Sequence, residues 1–427
     1  MIGEHRVGAG QQTFIIAEAG VNHDGDVDQA FRLVDAAVHA GADAVKFQMF
    51  RAEDLATAGA PTASYQRENR GNSSTSVRID AGASMESAVS ARAEARGSQE
   101  RRAVTRAEAR GSGNGRDVTQ REMLAQLELS DDAFARIKRH CDERSILFLA
   151  TPFGLSELER LVAFRPAAIK IASSDLTNTP LVAAAAGTAL PIILSVGAST
   201  ADEIDAAVAA IHDMRPADDR DAAGGRISAR AEARGSPDAR HIARAETRGS
   251  EAARGRLILL HCVSCYPTPI EAINLRAIAA LAERFGVPCG LSDHTTSTRV
   301  GSWAVAAGAC LLEKHLTLDR SAPGPDHAMS LSPGEFREYV ALVSEVEAAM
   351  GSGRIGMTER EAEVRAVAGR SVVAARNILA GTVLTRDMLN VKRPGTGLNP
   401  SALDQLLGRV AVSAIPSDTL LSWEMVR

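Results

Sequence analysis

Residues 168–175 read AIKIASSD. A short aliphatic run carries a polar side chain toward its end and then breaks into small hydroxylated residues, as a buried strand ending at a site would. The same habit recurs in FIIAEAGVNH (14–23), AVKFQMF (44–50), ILFLATPF (146–153), PIILSVG (191–197), LILLHCVSCYP (257–267), PCGLSDHT (288–295) and CLLEKHLTL (310–318). Eight such runs, most of them separated by helix-like stretches, predict a TIM-like (β/α)8 barrel of the α/β class. In that fold the chemistry sits at the carboxyl ends of the strands. Glu18, Lys46, Thr151, Lys170, Ser195, Tyr266, His294 and His315 fall there.

Between the runs, residues 28–42, 130–145 and 156–164 space apolar positions three and four apart, as helices covering a barrel should. Residues 330–353 read as a last helix with Ser332 as N-cap and Gly351 near its stop. From about Arg370 the segments become short, β-branched and punctuated by turns, which predicts a small β-rich domain. The expected division is a barrel over 1–345, a linker over 346–369 and the β-rich domain over 370–427.

Two Arg-rich segments interrupt this plan, at about 70–117 and 215–256. ARAEARGS begins at Ala91, TRAEARGS at Thr105, ARAEARGS at Ala229 and ARAETRGS at Ala243. With no aromatics and almost no large aliphatics, such repeats bury too little to offset ordering, so they read as mobile surface inserts. They hold 9 and 10 arginines against 6 and 7 acids, which leaves the remainder of the chain with an acidic excess of 11. That remainder argues against nucleic-acid binding by the barrel. No apolar run long enough to span a membrane and no apolar leader is seen, and five cysteines lack framework spacing. The expectation is a cytoplasmic protein that does not engage a membrane.

Lys46 and Lys170 sit in apolar contexts where an ammonium must find an anion or lose its charge. Ser173, Ser174, Ser195 and Ser292 add hydroxyl donors, so the group suits a phosphate or carboxylate, the alternative being lysines paired with structural carboxylates. His294 and His315 end consecutive runs, and a barrel would set them side by side, as for a divalent metal with open positions. Glu18 could bond a sugar, act as acid or base, or bridge to Lys46. Asp326 lies in a Gly/Pro-rich loop, where carboxylates are usually just solvated. The CxxC of Cys262 and Cys265 has no second pair and ends a strand, which weighs against zinc or redox chemistry.

Taken together, AEAGVNHDGD, GADAVKFQ, LATPF, KIASSD, PIILSVG, LLHCVSCYPTP, GLSDHT, EKHLTLD, GPDHAMS and VKRPGTG resemble the sialic acid synthase family, most closely its N-acetylneuraminate synthases. The resemblance covers nearly all of the chain except the inserts, and implies a TIM-like barrel followed by a SAF (antifreeze-like) domain. It implies condensation of phosphoenolpyruvate with an open-chain N-acetylmannosamine-type sugar, releasing phosphate. Legionaminate or pseudaminate synthesis from a 2,4-diacetamido-2,4,6-trideoxyhexose is the nearest alternative. A sugar-binding module with an inactive barrel is a more distant one.

By the same resemblance, Lys46 and Lys170 bind phosphoenolpyruvate with Thr151, Phe153, Ser173, Ser195, Ser292 and Tyr266. His294 and His315 hold Mn2+ or Mg2+, and Glu18 and Asp326 face the sugar. Ser264 stands where some members have Asn, and a sugar-binding Asn should match near Asn72, where the first insert begins. Arg393 looks like an arginine that reaches the sugar in a partner subunit, implying a domain-swapped homodimer. Deleting residues 80–112 and 222–252 should leave a soluble, cooperatively melting protein; loss of soluble protein would show the repeats to be structural.

Overall fold

The computed structural model describes residues 1–63, 66, 119–213 and 256–427. The repeat segments, Asn72 included, lie outside the described residues apart from Arg256. The chain divides into Met1–Gly351 and Ser352–Arg427.

The first unit is a closed barrel of eight parallel strands in chain order: β1 Phe14–Gly20, β2 Ala44–Met49, β3 Leu147–Pro152, β4 Ile169–Ile171, β5 Ile192–Ser195, β6 Leu257–Cys262, β7 Cys289–Asp293 and β8 Leu311–His315. β1 closes the ring by pairing with both β2 and β8. Among the described residues the helices of this unit are α1 Val27–Ala40, α2 Ala52–Leu55, α3 Gln120–Ala125, α4 Asp131–Glu143, α5 Leu155–Ala163, α6 Thr179–Gly187, α7 Ala201–Asp213, α8 Arg276–Phe285, α9 Val300–Ala306 and α10 Pro333–Met350.

Local chemistry sets the helix ends. Asp26 and Ser130 accept hydrogen bonds from the first turns of α1 and α4, and Gly41, with φ 87°, ends α1 in a left-handed turn that a side chain would strain. Ser332 and Glu335 cap α10 reciprocally, and Gly351 ends it.

Because successive strand residues face opposite sides, the strands build two apolar layers at once. Ile15, Ala17, Val45, Phe47, Phe148, Ile169, Ile171, Ile192 and Leu194 pack outward with the helices. Phe14, Ile16, Ala44, Leu149, Ala168, Ile193, Ile258, Leu260 and Leu311 fill the barrel's interior, joined by Ile2. Two residues further along each strand, the inward positions become Glu18, Lys46, Thr151, Lys170, Ser195, Cys262 and Glu313. The alternation thus converts an apolar plug into a polar floor within one layer. Gly290 holds the tightest approach, since a Cβ there would lie 2.0 Å from the carbonyl oxygen of Leu311 on β8.

The second unit opens with α11 Glu359–Ala368, followed by an antiparallel pair, β9 Ser371–Ala374 and β10 Leu389–Lys392, and by α12 Leu403–Leu406. Isolated bridges such as Ile378 with Ile415 and Val383 with Val410 complete a β-rich fold around Val372, Leu384, Leu406 and Leu421. The stretch 346–369, expected as linker, contains the boundary between the two units and holds the last turn of α10 and all of α11, whose Thr358–Glu361 capping box gives it a defined start. Among the described residues no helix is long and apolar enough to cross a membrane.

Candidate active site

Four opposite charges meet on the polar floor. Lys46 Nζ lies 2.7 Å from Glu18 Oε2 and 3.3 Å from Glu313 Oε2, and Lys170 Nζ lies 3.8 Å from Glu313 Oε1. Lys46 also donates to Thr151 Oγ1 at 3.1 Å, and Lys170 to Ser195 Oγ at 2.7 Å and the Ile171 carbonyl at 3.0 Å. Ser292 Oγ donates to Glu313 at 2.8 Å.

Burial penalises every one of these charges, but their neighbours decide differently. Burial pushes Glu18 up to about 7, Lys46 only partly opposing it and Glu313 adding to it. Burial would raise Glu313 too, yet Lys170, Lys46 and Ser292 together hold it down at about 2. Burial acts to lower Lys46, and the two glutamates outweigh it, so its pKa rises. Burial lowers that of Lys170, with Glu313 opposing and Lys46 assisting. Glu313 is therefore the fixed anion of the group, and Glu18 changes charge near neutrality.

Above this floor stand the imidazoles, with ring centroids 5.7 Å apart. His294 Nδ1 donates to the Val263 carbonyl at 2.9 Å, which leaves Nε2, 3.4 Å from Ser292 Oγ, as the bare nitrogen. His315 Nδ1 is buried without a hydrogen-bond partner, 3.8 Å from Asp326 Oδ2. Burial lowers the pKa of His294 and takes that of His315 well below its usual value, so both rings are neutral at physiological pH. An unpartnered buried nitrogen beside a second bare imidazole nitrogen fits a pair of ligands for a divalent cation. Among the described residues no cluster of three or more His, Cys, Asp or Glu suited to a metal is found.

The loop after β8 brings Asp326 over the same cavity. His327 lies 3.0 Å from Asp24 and 2.7 Å from Thr317 Oγ1, and Asn22 donates to Ser330 Oγ, which in turn donates to the Asp326 carbonyl. These contacts tie the β8 loop to the β1 loop. Asp326 is thus buried, contrary to the solvated loop carboxylate its sequence context suggests, and burial pushes it up to about 6. The Tyr266 ring lies tilted against His294, centroids 4.4 Å apart, but in the loop beyond Cys262, where β6 ends, so it is not at a strand end. Lys46 likewise sits mid-strand, deeper than expected.

The resulting cavity, about 460 Å³, is lined by Glu18, Lys46, Thr151, Phe153, Lys170, Ser173, Ser195, Ser264, Tyr266, Ser292, His294, His315 and Asp326. Ser174 lines it too, so of the candidate site residues only Asn72, outside the described residues, and Arg393, exposed on the second unit, are not among its lining residues. Cys262 also lines it, while Cys265 is exposed, and both are free thiols. Sequence reading missed Glu313, although its place two residues before His315 puts it on the same strand face. It also missed Gln48 and the apolar residues Val21, Leu55, Met123 and Leu124, which with the expected Phe153 make an apolar side. Met123 and Leu124 come from α3, beyond the first repeat segment, and no local pattern pointed to them.

The class so defined is a parallel eight-stranded barrel with a charged, polar cavity at the carboxyl ends of its strands, followed by a separate β-rich unit. The chain belongs to the NeuB family: that family's model matches residues 33–95 and 84–355, and the SAF domain model matches 369–427. The chain is 31% identical to an N,N'-diacetyllegionaminic acid synthase of Legionella pneumophila, covering 98% of this chain and 96% of that protein. It is 28% identical to the human N-acetylneuraminate-9-phosphate synthase, over 98% and 94%. The crystal structure of a sialic acid synthetase from Leptospira borgpetersenii, in complex with citrate, superposes with TM-score 0.59 at 27% identity, covering 85% of this chain and 94% of that one. The expected barrel and SAF domain are thus both present.

Replacing Glu313 by Leu leaves two buried lysines short of their shared anion. The variant should lose about 3–5 kcal/mol of stability in urea unfolding, and Glu313→Gln, which keeps an acceptor for Ser292, should lose less.

Proposed function

We propose that this chain condenses phosphoenolpyruvate with the open-chain aldehyde of an acetamido sugar, yielding a nonulosonic acid and inorganic phosphate. The observation that carries this reading is the sharing of one cavity by two buried ammonium groups and two bare imidazole nitrogens. Lys46 and Lys170 receive the phosphate and carboxylate of phosphoenolpyruvate, with the hydroxyls of Thr151, Ser195 and Ser292 beside them and that of Ser173 just past the end of β4. Ser264, Tyr266 and Phe153 border that anion. A divalent cation, Mn2+ or Mg2+, held by His294 and His315 would supply Lewis-acid polarisation of the aldehyde oxygen.

Carbon C3 of the enol attacks the aldehyde carbon, whose oxygen takes up a proton to become a hydroxyl; one water adds at C2, and the C2 hydroxyl it forms loses its proton as the carbon–oxygen bond to phosphate breaks, leaving a C2 carbonyl. Glu18, poised at about 7, takes the proton of that water in its ionised form. Asp326, above His315, bonds a hydroxyl of the sugar.

The acceptor we favour is a 2,4-diacetamido-2,4,6-trideoxyhexose. The apolar side formed by Val21, Leu55, Met123, Leu124 and Phe153 suits a sugar with a methyl group in place of a hydroxymethyl, and the likeness to the Legionella enzyme supports it. N-acetylmannosamine, expected from the sequence motifs, is the second reading, supported by the likeness to the Leptospira sialic acid synthetase. The proposal includes a homodimer in which the exposed Arg393 serves a partner copy's acceptor, on the strength of the VKRPG motif.

Phosphate release from phosphoenolpyruvate, measured with each acceptor, should be fastest with the trideoxy sugar, should stop in EDTA and should return with Mn2+. Release with N-acetylmannosamine alone would select the second reading, and release with neither would reject the reaction. For Glu18, an acid whose pKa is raised, the ionised form is lost as pH falls through about 7. On this reading kcat/KM declines over that range, and Glu18→Gln lacks the limb and is slower by about 10²-fold or more.

A further inference from the structure

Asp293 and Lys314 take no part in the reaction outlined above, yet they form a buried ion pair immediately behind it. Inward positions on β7 and β8 are Ser292, Glu313 and His315, with His294 just past the end of β7, so the intervening Asp293 and Lys314 face the outside of the wall. Their exposures are 2% and 0%. The two residues are register partners, one step beyond the β7–β8 pair Ser292 and Glu313.

Lys314 Nζ lies 2.9 Å from Asp293 Oδ2 and also donates to the Thr295 carbonyl at 2.5 Å and to Thr295 Oγ1 at 3.2 Å. Asp293 Oδ1 in turn accepts from the Thr295 amide at 2.9 Å. One ammonium therefore grips the residue before His294 and the residue after it, and its own backbone leads directly into His315. The Tyr339 ring of α10 covers it from outside, 5.8 Å away.

A buried ion pair is a poor means of adding stability, because apolar side chains of similar volume commonly do as well; its best-attested use is to select one register over others. A one-residue slip between β7 and β8 would turn an imidazole out of the cavity. We propose that Asp293, Lys314 and Thr295 are positioning residues that hold His294 and His315 at the separation needed to share one divalent cation. The inference rests on the proposed role of the two imidazoles, and it goes beyond that role by assigning their spacing to a charge outside the barrel.

The test uses the full-length protein and Mn2+ alone as probe. Asp293→Asn combined with Lys314→Met removes both charges at nearly constant volume. Its thermal midpoint should stay close to that of the unchanged protein, while Mn2+ affinity, read by electron paramagnetic resonance titration, should fall about tenfold or more. Should the double variant not fold, Thr295→Val removes a single contact of Lys314 and should still weaken Mn2+ binding about threefold or more. Unchanged Mn2+ affinity in a folded variant overturns the inference. Absence of Mn2+ binding in the unchanged protein overturns it as well, and phosphate release that persists in EDTA would then leave the condensation itself standing.

Discussion

Two ammonium groups and two carboxylates buried in one layer of a barrel form the constraint on which the rest of this structure depends. None of Lys46, Lys170, Glu18 and Glu313 could stay charged there alone, since an isolated buried ion costs many kcal/mol and would neutralise instead. Arranged alternately, they hold one another in place with Thr151, Ser195 and Ser292 filling the remaining hydrogen bonds. The arrangement is also incomplete, because Glu313 must serve two lysines at once. An incoming anion therefore meets ammonium groups that are already dehydrated and already oriented, and it need not pay for either.

That layer exists only because the barrel closes. Period-two alternation sends one set of side chains to the helices and the other to the axis, so the lower axis is filled by Phe14, Ile16, Leu149 and Leu311. With the bottom plugged, the polar residues two positions on can only look upward, into a cavity whose mouth is finished by loops. The link from His327 to Asp24 joins the last of those loops to the first, and so buries Asp326 beside His315. Charge, imidazole and loop carboxylate are three storeys of one structure, each resting on the one beneath.

The elevation of Glu18 and Asp326 and the depression of both histidines have a common origin in burial, and differ in sign because acids and bases lose their charge in opposite directions. The result is a cavity where carboxyls exchange protons near neutrality while imidazoles keep free lone pairs. Those are the states that proton transfer from water and binding of a hard cation respectively require. The apolar side made partly by α3 stands apart from this polar floor, so a ligand bound here would meet charge at one end and hydrocarbon at the other.

Much of this was legible in the chain itself. Eight aliphatic runs, each ending in a polar residue, pointed to the barrel, and the place of Lys46, Lys170, His294 and His315 at or near the ends of those runs pointed them to one rim. The motif order pointed to the family, and Ser332 and Gly351 marked the ends of the last barrel helix. What only the tertiary structure decided was which groups touch. Glu313 emerged as the shared counter-ion because strands β2 and β4 bring two lysines to it from opposite sides, a meeting that no local pattern encodes. Asp326 became buried through contacts with residues some three hundred positions away in β1's loop, and Met123 and Leu124 joined the cavity from beyond the first repeat. Local sequence records the conformational preference and the face of each residue; electrostatics and burial belong to the assembled neighbours, and those are set only when the cylinder closes.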